Sequence, residues 1–212
     1  MRARAQSFRS ELALRRSVRT FSADPVPLDV LDECLLSSGS APSGANRQPW
    51  TFVVVTDPAK KCAIRLAAEE EERKSYAERM DDEWLAALEP LGTNWEKPFL
   101  ETAPVLIVVF RHAFGCEPGP WSRSSAAHDA TYQNYYTQES VGIACGFLIA
   151  ALHHAGLATL THTPSPMGFL ARVLDRPDNE RAFLLLPVGY PSSDCTVPDI
   201  EKKPLELLRV RV

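Results

Sequence analysis

Three arginines, Arg15, Arg16 and Arg19, crowd around Ser17 in the stretch "ALRRSVRTFSADPVP". Guanidinium groups offer forked donors that match the oxygens of a phosphate, and a hydroxyl among them adds one more donor. Arg15 and Arg19 are four residues apart and share a face if a helix runs through them. The pattern suits a cradle for one small phosphate; on its own it more often means arginines paired with surface carboxylates, an arrangement that is common and individually weak. A second stretch, "APSGANRQPWTF", places Ser43, Gly44 and Ala45 between a helix and a strand, where a permissive glycine and free backbone donors allow close approach to a planar ligand. In a third, "EEEERKSYAERM", Glu72 and Tyr76 are neighbours on one helical face. On its own that run reads as a solvated helix face.

Other chemistry finds little footing. The chain has no G-x-G-x-x-G after a strand, no Walker lysine motif and no G-x-S-x-G elbow. His153 and His154 are adjacent and so point in different directions on a helix, which argues against a shared metal site, and no metal is expected.

The elements that must position these residues alternate along the chain. A first helix is predicted over Ser7–Arg16 and a second over "LDVLDECLLSSG", where Leu28, Leu31 and Leu35 repeat at helical spacing and Gly39 provides a stop. "WTFVVVTD" reads as a strand that ends at Asp57-Pro58, a capping side chain followed by proline at the first helical position. The helix that follows carries Ile64, Leu66 and Ala68 toward the core before turning very polar, as a segment leaving the core to cover something would. "PVLIVVF" has the length and composition of a buried strand, and Gly115 to Ala130 reads as a loop. A helix is predicted from Tyr132 to His154, apolar on nearly all faces in its second half, as in a central or subunit-interface helix, and stopping at Gly156. "LATLTHT" and "AFLLLPVGY" add two strands, and "LLRVRV" a last one at the sheet edge. The fold class is α+β, as one domain over residues 1–212.

Composition narrows the partners. With 212 residues, 45% of them apolar, the chain can build a sizeable core. Its formal net charge of −4 argues against nucleic-acid binding, which draws its affinity from a basic face. Five scattered cysteines, an odd number, suit a reduced, cytoplasmic setting better than a disulfide framework. No apolar run follows the basic N-terminal residues, as a signal peptide would need, and "VGIACGFLIAAL" falls short of the about 20 apolar residues of a bilayer-spanning helix. No membrane association is expected.

Taken together and in order, "RRSVRTF", "APSGANRQPWTFVVV", "TNWEKPFLETAP", "SVGIACGFLIAALHHAGL" and "LLLPVGYP" resemble the nitroreductase superfamily of flavin enzymes, and within it the branch that deiodinates halotyrosines. The resemblance runs from about Leu14 to Val212. It implies an obligate homodimer with a mixed, mainly antiparallel sheet flanked by helices and FMN bound at the subunit interface. By this similarity Arg15, Arg16, Ser17 and Arg19 contact the phosphate and ring edge of FMN, while Ser43 and Gly44 approach it from their loop. Lys202, in "DIEKKPL", stands where the family commonly has an arginine reaching the phosphate; lysine keeps the charge and loses the fork.

The stretch "LTHTP" aligns Thr161, His162 and Thr163 beside the flavin ring. Thr163 is the expected catalytic residue, its hydroxyl bonding the reactive ring nitrogen so that electrons pass one at a time. His162 stands where threonine is usual. The resemblance also implies that Glu72 takes the ammonium of a halotyrosine, Lys97 its carboxylate and Tyr76 a further hydrogen bond, with the Ala45 N–H on the phenolate oxygen. Pro98 after Lys97 departs from the pattern. Residues from about Glu69 to Lys97 would form a lid. The flavin would be reduced by NADPH, directly or through a reductase partner. A broad-specificity NAD(P)H-dependent nitroreductase or quinone reductase is the alternative activity, and a non-catalytic flavin-binding protein the alternative from another class.

Overall fold

A computed structural model describes residues 1–116 and 131–212; the expected loop from Gly115 to Ala130 lies, beyond Cys116, outside the described residues. The elements in chain order are α1 (Arg2–Leu14), α2 (Leu28–Gly39), β1 (Trp50–Val55), α3 (Pro58–Lys74), α4 (Asp82–Leu88), α5 (Phe99–Thr102), β2 (Val105–His112), β3 (Phe114–Gly115), β4 (Tyr132–Gln133), α6 (Thr137–His154), β5 (Ala158–Thr159), α7 (Gly168–Val173), β6 (Glu180–Gly189) and α8 (Leu205–Leu208).

Strand β2 explains the layering. Its residues alternate between two apolar clusters: Leu106, Val108 and Phe110 pack with Ile64, Ala68, Leu100 and Leu170 of α3, α5 and α7, whereas Val105, Ile107 and Val109 pack with Leu31 of α2 and Val141, Leu148 and Leu152 of α6. A strand covered on both faces must be apolar at every position, which is why "VLIVVF" shows no polar alternation. Each of these buried Leu, Ile, Val and Phe side chains contributes about 1.5–3 kcal/mol of transfer free energy. The sheet order is β1-β2-β6-β5 with every neighbouring pair antiparallel, and a parallel bridge from Ser17 to Thr159 supplies the mixed element.

Local chemistry sets the element ends. Asp57 Oδ1 accepts the Lys60 N–H at 2.7 Å and Pro58 opens α3, the start read from the sequence. Gly156, at φ 85, ends the α6 region with the left-handed turn that glycine adopts freely. At the His112 end of the sheet, Thr51 Oγ1 donates to Glu180 Oε1 at 2.8 Å and accepts from His112 Nε2 at 2.7 Å, while Arg176 forks onto Glu180 at 2.7 and 2.9 Å. These hydrogen bonds outweigh the burial of Glu180 and hold its carboxyl below the usual range.

Several expectations are corrected. The first helix covers Arg2–Leu14, not Ser7–Arg16, because Arg15 is already extended (φ −64, ψ 126) as the chain turns to lay Ser17 beside Thr159. Leu66 is 56% exposed: Ile64 and Ala68, four apart, share the buried face of α3, and a residue midway between them points away. The helix expected from Tyr132 begins at Thr137, because Tyr136 has φ 49 and Tyr132–Gln133 pairs with Phe114–Gly115. "LATLTHT" contributes only Ala158–Thr159 and a bridge from His162 to Leu185. "LLRVRV" forms no strand in the described structure; Leu205–Leu208 is a short helix and the rest is exposed, with no sheet partner among the described residues.

Candidate functional site

The arginine cluster forms a cavity, though not in the way helical spacing suggested. Beyond Leu14 the chain is extended, and successive alternate residues of an extended chain lie on one side, which brings Arg15, Ser17 and Arg19 together without a helix. Arg15, Arg16, Ser17 and Arg19, together with Lys202, Leu91 and Pro198, line a cavity of about 150 Å³. Four cations and a hydroxyl line it, with no carboxylate among the lining residues. Arg16 is held by the Pro198 carbonyl, and Val18 by the Thr159 carbonyl at 3.1 Å.

The second cluster joins α3 to the segment before α5. Glu72 leaves the last turn of α3, Tyr76 sits in a wider π-type turn over Ser75–Arg79, and Lys97 arrives from the connection that follows α4. Glu72 Oε2 lies 3.5 Å from Lys97 Nζ, and that ammonium is 5.7 Å from the centre of the Tyr76 ring. Lys97 also donates to the Asn94 carbonyl, and Arg73 stacks over Trp95 at 4.5 Å. Burial pushes the Glu72 carboxyl up and the Lys97 ammonium down, each against the pull of the other. Both charges are therefore only partly compensated.

The "LTHTP" stretch runs beneath this cluster. The His162 N–H donates to the Leu185 carbonyl at 2.9 Å and its carbonyl accepts the Leu185 N–H at 3.0 Å, so its backbone is committed to β6. Its ring turns inward, edge-on to Phe99 with centroids 5.5 Å apart, and the side chains of Thr161 and Thr163 are left on the exposed side. Burial, together with the nearby cations Lys97 and Arg19, pushes the imidazole down to about 3. His162 Nε2 has no hydrogen-bond partner among the described residues.

The Ser43–Ala45 loop is elsewhere. Ser43 Oγ accepts the Gln48 N–H at 2.9 Å and the Gly44 N–H donates to Ser140 Oγ at 3.3 Å. A Cβ on Gly44 would stand 2.6 Å from the Tyr135 carbonyl oxygen, so only glycine fits. Ala45, Asn46 and Gln48 have φ of 51, 53 and 49, left-handed values that are strained for side-chain-bearing residues and concentrate at functional sites. This loop leads into Trp50, paired with Arg111, whereas Ser17 bridges Thr159, which pairs with Val188 and so adjoins Val105. Six residues of β2, about 20 Å of strand, separate those two sheet positions. One chain brings together Arg15, Arg16, Ser17, Arg19 and Lys202, and gathers Glu72, Tyr76 and Lys97 within reach of the Arg19 charge. It leaves the Ser43–Ala45 loop at the other end of the sheet.

Two polar residues escaped the sequence reading. Glu69 and Arg65 lie on α3 and reach the Lys97 segment, with the Lys97 N–H donating to Glu69 Oε1 at 2.8 Å. Their signal was the i,i+4 spacing of Lys61, Arg65 and Glu69, split between the core-facing start of the helix and the polar run that opens at Glu69.

Comparison with known proteins accords with this geometry. The model described as "Nitroreductase family" matches residues 12–190. The iodotyrosine deiodinase of Haliscomenobacter hydrossis is 57% identical over 189 residues, covering 89% of this chain and 81% of the relative. Iodotyrosine deiodinase 1 of Homo sapiens is 47% identical over 210 residues, covering 99% and 70%. Among solved structures, oxidized iodotyrosine deiodinase bound to FMN and 3-iodo-L-tyrosine superposes with a TM-score of 0.78 at 30% identity, over 96% of this chain and 97% of that one. A BluB-like flavoprotein from Clostridium difficile 630, at 18% identity and TM-score 0.70, shares the fold. The chain belongs to the nitroreductase family and, within it, to the iodotyrosine deiodinase group.

Proposed function

We propose that this protein is an FMN-dependent reductive dehalogenase of halotyrosines, converting 3-iodotyrosine to tyrosine and iodide. The observation that carries this reading is the buried Glu72–Lys97 pair at 3.5 Å beside Tyr76. A carboxylate and an ammonium held out of water, each only partly compensated, suit a ligand bearing both charges on one carbon: Glu72 takes the ammonium, Lys97 the carboxylate, and Tyr76 a further hydrogen bond. Residues from Glu69 to Lys97 act as the lid that excludes water around the ring.

The cofactor fits the residues present. A cavity of about 150 Å³ lined by Arg15, Arg16, Ser17, Arg19 and Lys202 and free of carboxylates suits a phosphate monoester. Thr161 and Thr163 lie on the exposed side of their stretch, and we assign to the Thr163 hydroxyl the hydrogen bond to the flavin's reactive nitrogen. FMN, when bound in its reduced form, supplies the two electrons that, with one proton, replace iodide by hydrogen. The protein binds and orients the amino acid and excludes water.

A second copy of the chain completes the site. The Ala45 N–H, assigned to the phenolate oxygen, lies about six strand residues from the Arg19 end of the sheet, so within a homodimer it serves the partner's cofactor. Ile143 and Phe147 of α6 are 42% and 44% exposed beside Gly142 and Gly146, whose missing side chains let another helix approach closely. No helix among the described residues is long and apolar enough to cross a membrane. The cysteines of the described residues are free thiols, and we assign the protein to the cytoplasm, with NADPH as the source of electrons, directly or through a reductase.

Iodide release tests the assignment. FMN-loaded protein, reduced chemically and mixed with 3-iodotyrosine, should liberate stoichiometric iodide and tyrosine. Turnover of nitroaromatics with no halide released would assign the chain to the broad nitroreductases instead.

A further inference from the structure

Residues Lys61, Arg65 and Glu69 occupy every fourth position of α3 and face the segment from Lys97 to Ala103. The Lys61 ammonium donates to the carbonyls of Glu101 and Ala103 at 2.9 and 2.8 Å. Arg65 Nε donates to Glu101 Oε1 at 2.6 Å, and its Nη1 lies 3.4 Å from Glu69 Oε1. Glu69 completes the ladder by accepting the backbone N–H of Lys97 at 2.8 Å, across 28 residues of sequence. Lys61 and Glu69 are each only 8% exposed, and their bonds to the Ala103 carbonyl and the Lys97 N–H are buried and directed at main-chain groups. Surface ion pairs hold little. A buried carboxylate bonded to one specific amide fixes where that residue's backbone sits.

We propose that Glu69 is a positioning residue that fixes Lys97 for halotyrosine binding, by holding its backbone amide while Arg65 orients the carboxylate. The proposal rests on the reading of Lys97 as the carboxylate ligand. Lys97 reaches Glu72 at 3.5 Å from a side chain with almost no exposure, and a backbone displacement of about 1 Å is enough to spoil such an arrangement, by up to about a hundredfold in function. The bond also ties the two ends of the lid together. Lid motion is then confined to residues between Glu69 and Lys97: Glu72 and Tyr76 swing, and Lys97 stays with the scaffold. The sequence alone placed Lys97 at the edge of the moving segment; this bond makes it the fixed jaw.

The test uses the full-length, FMN-loaded protein and two variants, Glu69→Ala, which deletes the acceptor, and Glu69→Gln, which keeps a carbonyl for the same N–H. Amide hydrogen exchange at Lys97 and 3-iodotyrosine affinity from flavin fluorescence are both measured, with FMN content as the control for folding. Glu69→Ala should speed exchange at Lys97 and weaken 3-iodotyrosine binding, each by tenfold or more, at unchanged FMN content, while Glu69→Gln stays within threefold of the parent in both. Exchange or affinity within twofold of the parent in Glu69→Ala overturns the proposal. Equal damage in the two variants also overturns it, since charge and not the bond would then be responsible. Should Glu69→Ala lose FMN, Glu69→Met, which keeps the side-chain volume and lacks the acceptor, takes its place under the same limits. Absence of quenching in the parent protein removes the halotyrosine reading, and the exchange measurement then decides whether Glu69 holds Lys97.

Discussion

Glu72 Oε2 and Lys97 Nζ stand 3.5 Å apart, with their side chains only 12% and 4% exposed. Breaking such a pair from one side leaves an uncompensated charge, at a cost of about 3–5 kcal/mol, whereas removing both partners costs far less. Glu72→Gln and Lys97→Met should therefore each lower the stability of the ligand-free protein by roughly 3 kcal/mol. The double variant should lose clearly less than the sum. Thermal or denaturant unfolding of the four proteins in one cycle checks this, and additive losses would mean that the two groups do not interact.

The cradle of Arg15, Arg16, Ser17, Arg19 and Lys202 predicts graded effects on FMN retention. Arg15→Ala and Arg19→Ala each delete a charged hydrogen-bond donor, worth about 1.5–3 kcal/mol, so FMN affinity should fall about tenfold or more. Lys202→Ala should cost less, because a lysine makes a point contact, and Lys202→Arg should tighten binding by restoring the fork. Titration of apoprotein with FMN, followed by flavin fluorescence, measures all four. Full retention of FMN by Arg15→Ala and Arg19→Ala would exclude the cradle.

His162 predicts a pH dependence of stability. Its folded value is depressed from 6.5 to about 3 by burial and by the nearby Lys97 and Arg19. Above pH 6.5 it is neutral in both folded and unfolded chains and contributes no slope. Between 6.5 and about 3 the unfolded chain binds a proton that the folded one refuses, so stability falls as the pH falls. One such proton gives a slope of about 1.4 kcal/mol per pH unit. His162→Leu should flatten the curve by that amount in this window, leaving the acid loss due to carboxylates such as Glu101 and Glu180. Parallel curves for the two proteins would show that His162 is not held neutral.

The sequence disclosed those parts of the fold where one local cause decides. The Asp57-Pro58 start of α3, the doubly buried β2 and the Gly156 stop each follow from capping, patterning or backbone freedom in a few neighbouring residues. Leu66 was misplaced because an apolar residue at the wrong phase of the helix looks like its neighbours in composition. Arg15 and Arg19 were assigned together for a helical reason, yet an extended chain aligned along Thr159 unites them, a tertiary pairing that no local spacing displays. The Glu72, Tyr76 and Lys97 cluster was legible through its resemblance to the family. Glu69 was not, since its role depends on an amide 28 residues away. The distance between Ala45 and the cradle is likewise a matter of sheet register.

The central claim is that a halotyrosine binds through the Glu72–Lys97 pair against the flavin. Its most direct measurement is a titration of the oxidised, FMN-loaded protein with 3-iodotyrosine, followed by flavin fluorescence, in parallel with Glu72→Gln. The account predicts saturable quenching in the unmodified protein and an affinity about a hundredfold weaker in the variant, the loss of about 3 kcal/mol that follows truncation of one partner of a buried charge contact. Absence of quenching, or equal affinity in the two proteins, would contradict it.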